Sequence, residues 1–338
     1  MISRDTTARN VLKRLGIETW LNTDGVTEVM INRPGEVFIE GPNGVERHED
    51  ERLSFNSLLE LANTLAIFNN KHITAKDPMQ SVTLPDGERC HIIMPPACET
   101  GTIVFSFRKP SKSRFTLDDY LNSGRLDGFA DIKEAVVSAG GYALADYEQQ
   151  LLRYKEERNL GEFFKLAVAH KLNICMVGGT GSGKTTFTKA IADLVPPETH
   201  IVTIEDTHEL SLPAHPNHVH LFYKEKITAK DIIATCMRIK PDRIFLTELR
   251  GDEAWDYLSA LNTGHQGGLT SVHANDALSV FYRIAQLAKE SPAGQGMDYD
   301  YILNIVRSTI DVVCFFDKTR LTELYYDPLQ KAKAIRGK

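Results

Sequence analysis

The sequence predicts an α/β chain in which a mostly parallel sheet covered by helices follows a small α+β domain with an antiparallel sheet. Three observations carry this reading. Residues 26 to 48, VTEVMINRPGEVFIEGPNGVERH, alternate apolar with polar side chains, as strands with one buried face do. From Leu160 onward, helical and strand-like segments take turns, the pattern that produces a parallel sheet with covering helices. Between them, GGTGSGKTT (178–186) joins the apolar run Asn173–Val177 to a helix-forming stretch, the strand-loop-helix context of a phosphate-binding loop.

In chain order, the turns Arg33-Pro34-Gly35 and Gly41-Pro42-Asn43-Gly44 divide the first alternating run into strands. Ser57 to Ala66 has apolar residues at helical spacing, and Gly87–Met94 and Gly101–Phe107 read as further strands. These elements define a first domain over 1–111. The stretch 112–150 mixes polar residues, glycines and short amphipathic pieces, so it is expected to be a linker with little core of its own. A second domain over 151–338 then runs helix (Leu160–His170), strand (Asn173–Val177), loop, helix, strand (His200–Glu205), helix (Thr228–Met237) and strand (Arg243–Glu248). A length of 338 residues favours two domains over one.

Composition narrows the class. The chain is 42% hydrophobic and 25% charged, as soluble globular proteins are. A net charge of -6 gives no overall electrostatic reason to bind nucleic acid, so direct nucleic-acid binding is not indicated. The start MISRDTTARNVLKRLGIETWL has no signal-peptide pattern, and no window approaches the ~20 apolar residues that span a bilayer. Arg9 to Arg14 form a short basic stretch, open to two readings: a solvated helix face or a contact with an acidic membrane surface. Five scattered cysteines, Cys90, Cys98, Cys175, Cys236 and Cys314, point to reduced thiols.

The phosphate loop Gly178, Gly179, Thr180, Gly181, Ser182, Gly183, Lys184, Thr185, Thr186 carries G-x-x-x-x-G-K-[ST]. Its small residues let the backbone curl so that amides and a helix N-terminus face a phosphate. Lys184 is expected to bridge the β- and γ-phosphates of ATP, and the Thr185 hydroxyl to ligate Mg²⁺. Hydrolysis further needs carboxylates. Arg243-Ile244-Phe245-Leu246-Thr247-Glu248 is an apolar strand ending in a glutamate, so Glu248 is the candidate to orient water. Position 247, an Asp in many P-loop enzymes, is Thr, and the metal must find acidic support elsewhere. Thr203-Ile204-Glu205-Asp206-Thr207-His208-Glu209-Leu210 offers Glu205, Asp206 and Glu209 at a strand end that parallel strands place beside the loop, or else an acidic turn that caps a helix.

A third constellation, GHQGGLTSVHAN (264–275), has glycines that permit close backbone approach and a His or Gln to sense the γ-phosphate. Five histidines crowd His200 to His220, namely His200, His208, His215, His218 and His220, but no pair on one helix face marks a metal site.

In order, GGTGSGKTT, TIEDTHEL, RIFLTELRGDEAWDYL and GHQGGLTSVHAN resemble the Walker A, Asp box, Walker B and His box of the type II/IV secretion ATPase superfamily. VTEVMINRPGEVFIE, LPDGERCHIIMPP and FSFRKPS resemble its N-terminal domain, so the likeness covers nearly the whole chain. Only Cys314 follows residue 248, so the tetracysteine module of type II secretion and pilus assembly ATPases is missing, as is the signature segment of pilus retraction motors. What remains is similar to the traffic ATPases of type IV secretion systems.

That resemblance implies a RecA-like motor domain, a homo-hexamer, ATP with Mg²⁺, and a cytoplasmic position peripheral to the inner membrane. It implies partners among the inner-membrane channel components, the coupling protein and other channel ATPases. It implies phosphate and metal roles for Lys184 and Thr185, Asp-box roles for Glu205, Asp206 and Glu209, the Walker B role for Glu248 and the His-box role for His273. Arg89 and Arg108 match arginines that close over the nucleotide. Other readings are a type IV pilus or type II secretion motor, a P-loop small-molecule kinase, and a docking scaffold that binds nucleotide without hydrolysis.

Overall fold

The computed structural model describes residues 4–109, 114–134, 142–224 and 226–336. The chain divides into two compact units, Met1–Lys112 and Ser113–Lys338.

The first unit contains α1 (Arg4–Arg14), α2 (Ile17–Leu21), β1 (Glu28–Ile31), β2 (Glu36–Gly41), β3 (Gly44–Glu49), α3 (Phe55–Phe68), β4 (Met79–Thr83), β5 (Arg89–Ile93) and β6 (Val104–Arg108). Its sheet has the order β3-β2-β1-β6-β5-β4, antiparallel throughout. Alternation sends Val29, Ile31, Val37, Ile39, Val82, Cys90, Ile92, Phe105 and Phe107 inward. Against them α3 lays Leu58, Leu61 and Leu65, whose full burial contributes about 1.5–3 kcal/mol each. The Ser54 side chain caps α3 by accepting from the Ser57 amide. Strand β3 ends the sheet with Glu46, Arg47 and Glu49, charges that discourage pairing with another edge.

Strand β4 carries no sequence-level expectation, because its inward residues are Gln80 and Val82 and the apolar alternation is broken. The amide of Gln80 is satisfied by the His72 carbonyl at 3.2 Å. In the basic stretch, Arg9 bridges Asp5 and Asp86, and Arg14 pairs with Glu60. Those surface pairs favour the solvated-face reading of Arg9 to Arg14.

The second unit contains α4 (Leu117–Asn122), β7 (Ala130–Ile132), α5 (Asp146–Glu156), α6 (Leu160–Ala169), β8 (Ile174–Gly178), α7 (Lys184–Ala192), β9 (Ile201–Glu205), β10 (His218–Phe222), α8 (Ala229–Ile239) and β11 (Arg243–Leu246). It continues with α9 (Glu253–Asn262), β12 (Leu269–Val272), α10 (Ser279–Glu290), α11 (Pro292–Gln295), α12 (Tyr299–Thr309), β13 (Val312–Asp317), β14 (Arg320–Tyr326) and α13 (Pro328–Arg336). The sheet order is β10-β9-β11-β12-β8-β13-β14-β7, parallel except between β13 and β14. Two apolar layers cover it. Cys175 and Val177 of β8 face one layer with α8, α9, α10 and α12, while Ile174 and Met176 face the other with α6 and α7. Strands covered on both faces read as continuous apolar runs, which is why β8, β9 and β11 were legible.

The expectation of little core in 112–150 is corrected. Leu117, Tyr120, Leu126 and Phe129 are buried in the second unit, with Tyr120 edge-on to Phe187 of α7. Strand β7 pairs with β14, and the buried Lys155 ammonium ties this edge by donating to the Tyr326 carbonyl at 2.8 Å and pairing with Asp131 at 2.6 Å. The short apolar pieces are separated by polar turns, so no window shows a period, yet their apolar side chains pack into the core of the second unit. Residues 112–113 and 135–141 of that stretch lie outside the described ones.

Asn173 knits the opposite edge from the phosphate loop. Its Oδ1 accepts from the Gly267 and Gly268 amides at 2.9 and 3.0 Å, and its Nδ2 donates to the Thr309 carbonyl at 2.7 Å. All are buried, so Asn173→Ala strands two donors and an acceptor. Chemical denaturation should show the second unit destabilised by about 2–4 kcal/mol, while the first unit unfolds unchanged.

Candidate active site

Parallel pairing of β8, β9, β11 and β12 brings four C-terminal strand ends to one edge of the sheet. From them project the phosphate loop after β8, the acidic loop after β9, Glu248 after β11 and His273 after β12. Residues distant in sequence therefore meet.

The loop after β8 needs glycine for steric reasons. Gly178 has φ 142°, and a Cβ there would sit 2.2 Å from the Phe316 carbonyl oxygen of β13. Gly183 has φ 93° at the start of α7, a conformation other residues adopt only at a cost. The Lys184 ammonium donates to the carbonyl oxygens of Gly178 and Gly179, both at 2.7 Å. Ser182 Oγ is buried in this loop without a hydrogen-bond partner among the described residues. A buried hydroxyl, a lysine and a helix N-terminus together suit a phosphate. The Thr185 hydroxyl lies 3.3 Å from Glu209 Oε2, a hard-oxygen pair suited to Mg²⁺.

Glu248 sits within a charge network. Its Oε2 accepts from Arg250 at 2.7 Å and its Oε1 lies 3.3 Å from His273 Nε2. Burial by itself raises the Glu248 carboxyl, but the hydrogen bond and charge of Arg250, with the charges of His273 and Lys184, outweigh it and hold the group below the ordinary glutamate range. Arg250 also reaches Asp206 at 3.0 Å. His273 is shifted down, first by burial and then by the charge of Lys184, against the opposing pull of Glu248, a shift that favours its neutral imidazole.

The structure therefore brings Lys184, Glu248 and His273 together, and Thr185 with Glu209. It does not bring Glu205 to Thr185. Glu205 is fully buried; Oε1 accepts from Thr203 at 2.7 Å and lies 3.1 Å from His220 Nδ1, while Oε2 accepts the Glu209 and Leu210 amides at 2.7 and 2.9 Å. These bonds fold the loop that presents Asp206 and Glu209, and the described contact to the Thr185 hydroxyl comes from Glu209, not from Glu205. Burial raises its carboxyl, but the hydrogen bonds from His220 and the two amides hold it below its usual value.

Arg250 was missed by sequence reasoning. A charged residue two positions past Glu248 is unremarkable in sequence, and its other partner is 44 residues away. Arg89 and Arg108 lie in the first unit, directly opposite each other across β5 and β6. On its other side Arg108 stands opposite Glu28 of β1, a carboxylate that offsets the like charge.

The comparisons with known proteins follow this geometry. The family model described as "Type II/IV secretion system protein" matches residues 144–316. A type IV secretion system protein VirB11 from Brucella suis biovar 1 is 38% identical over 330 residues, covering 93% of this chain and 89% of its own. The VirB11 protein of Bartonella henselae is 35% identical over 351 residues, covering 99% and 98%. Among solved structures, the VirB11 ATPase of the Brucella suis type IV secretion system, in complex with sulphate, aligns with TM-score 0.54 at 38% identity over 96% of this chain and 99% of that one. The pilus retraction motor PilT with bound ADP shares the fold, with TM-score 0.58 at 16% identity over 96% and 87% of the two chains.

Acidification should destabilise the protein through His273 in a defined window. A histidine whose folded pKa is depressed contributes stability that is fully present above its unfolded value of 6.5 and is lost as pH falls through the folded value. Thermal unfolding midpoints measured from pH 7.5 to 5 should decline in the wild type and decline less in His273→Gln; parallel curves for the two proteins would contradict the assignment.

Proposed function

Because this chain belongs to the type II/IV secretion system protein family, and is a type IV secretion ATPase of the VirB11 kind, we propose that the site after β8 binds ATP with Mg²⁺ and that Glu248 orients the water that attacks its γ-phosphate. The observation that carries this reading is the meeting of Lys184, Glu248 and His273 at one sheet edge, within a single electrostatic network.

On binding, Lys184 exchanges the two carbonyls of its own loop for phosphate oxygens, and Ser182 Oγ and the α7 amides find an acceptor. Thr185 and Glu209 would hold the metal, which when bound neutralises the β- and γ-phosphate oxygens. Glu248, held ionised by Arg250, is a weak base, so its work is to position and polarise water rather than to strip it of a proton early. Neutral His273 shares the Glu248 carboxylate and can turn its Nε2–H toward the γ-phosphate, reporting its presence to β12. Arg250 keeps the acidic loop after β9 and the Glu248 turn in step, because one guanidinium serves both Asp206 and Glu248.

Arg89 and Arg108 supply the second half of the proposal. Their cross-strand pairing makes a compact cationic pair, and the family resemblance of LPDGER and FSFRKPS gives it the role of neutralising charge on a transferring phosphoryl. The resemblance of this chain's four motifs to those of type IV secretion traffic ATPases implies a homo-hexamer that acts with inner-membrane channel components, the coupling protein and other channel ATPases. The same resemblance implies a cytoplasmic position peripheral to the inner membrane; no helix among the described residues is long and apolar enough to cross a membrane.

Two measurements test this. Glu248→Gln should bind ATP as the wild type does while kcat for hydrolysis falls by ~10²–10⁴, and Lys184→Ala should lose binding as well; hydrolysis that survives either change would sink the assignment. In the hexamer, identified by native mass, Arg89→Ala and Arg108→Ala should each lower kcat by at least ~10-fold with little change in ADP affinity. A change confined to KM would show that these arginines only bind the nucleotide.

A further inference from the structure

Three side chains outside the nucleotide chemistry come together beside the acidic loop. Alternation puts Thr203 and Glu205 on one face of β9, and His220 and Phe222 on one face of β10; the parallel register sets Thr203 opposite His220 and Glu205 opposite Phe222. His208, three residues past Glu205, folds back so that its ring centroid is 4.4 Å from that of His220. One donor atom each from Glu205, His208 and His220 then lies within 4.8 Å of the other two.

We propose that Glu205, His208 and His220 form a binding site for a divalent transition metal of the zinc class, distinct from the Mg²⁺ that accompanies ATP. Two imidazoles and one carboxylate are a donor set that suits Zn²⁺, Co²⁺ or Ni²⁺, whereas Mg²⁺ takes oxygen ligands in an octahedron. Tetrahedral zinc with bonds of ~2.0–2.1 Å holds its ligand atoms about 3.3 Å apart. Glu205 Oε1 lies 3.1 Å from His220 Nδ1 and 3.7 Å from His208 Nδ1, which brackets that spacing. A small swing of the half-exposed His208 closes the remaining edge.

The surroundings of the site also fit. The amides of Glu209 and Leu210 hold Glu205 Oε2, which leaves Oε1 presented toward the two rings. The Thr203 hydroxyl lies 2.7 Å from both Glu205 Oε1 and His220 Nδ1, orienting both. Glu205 is buried while the His208 side chain is 51% exposed, so the ion has a path in from solvent and a position open to water. A bound metal would tie the segment from Glu205 to Leu210, which presents Asp206 to Arg250 and Glu209 to Thr185, to the edge strand β10. Metal occupancy would thus set the mobility of the loop that serves the ATPase site.

The experiment uses the full chain without a histidine tag, freed of metal by chelation and titrated with Co²⁺, whose visible d–d absorption reports tetrahedral coordination. One Co²⁺ per chain is expected, displaced by Zn²⁺ and not by Mg²⁺. His208→Ala, at a half-exposed position that should fold normally by circular dichroism, should weaken Co²⁺ binding at least ~10-fold, and His220→Ala likewise. His218→Ala and Lys184→Ala should bind as the wild type does, the latter separating this site from the nucleotide site. Failure to take up stoichiometric Co²⁺, or uptake that His208→Ala leaves unchanged, overturns the proposal.

Discussion

The parallel alignment of β8, β9, β11 and β12 is the constraint on which the rest of the second unit depends. Each strand runs the same way between two apolar layers, so each delivers its C-terminal end to the same edge. That geometry alone gathers the phosphate loop, the acidic loop, Glu248 and His273. Asn173 holds the opposite edge closed with bonds to Gly267, Gly268 and Thr309, so the starts of β8, β12 and β13 are tied together. The chemistry at one end rests on hydrogen bonding at the other.

Electrostatics then assigns the work. Glu248 is half-buried among Arg250, His273 and Lys184, and the balance favours its ionised form despite burial. Burial first, then the charge of Lys184, lowers His273, which favours its neutral imidazole beside the Glu248 carboxylate. Arg250 is the hinge of this balance, because its guanidinium serves Asp206 and Glu248 together. Such a shared cation couples two loops more tightly than separate surface pairs would, since moving either loop strands a carboxylate that is partly desolvated.

Glu205 shows how a motif residue can serve the site without facing it. Position in the sequence groups it with Asp206 and Glu209, yet strand alternation turns it into the β9–β10 interface, where backbone amides, Thr203 and His220 hold it. The loop it anchors is the one that carries Asp206 and Glu209 outward. The same turn brings His208 to His220, so an anchoring carboxylate and two imidazoles share one small volume.

The sequence by itself determined the fold class, the strands β1, β2, β3, β5, β6, β8, β9 and β11, the phosphate loop and the family. Those signals are local: an apolar run for a strand covered on both faces, glycines where φ must be positive or a carbonyl comes close, a lysine and threonine at fixed offsets. The core contribution of Leu117, Tyr120, Leu126 and Phe129 was hidden, because each buried side chain sits in a piece too short to show a period. Strand β4 was hidden by its inward Gln80. Tertiary structure alone decided the pairing of Arg250 with Asp206, the burial of Glu205, the cross-strand meeting of Arg89 and Arg108, and the approach of His208 to His220. Each of these depends on strand register and on which face a side chain takes, and a one-residue shift in register reverses that face while leaving every local motif intact.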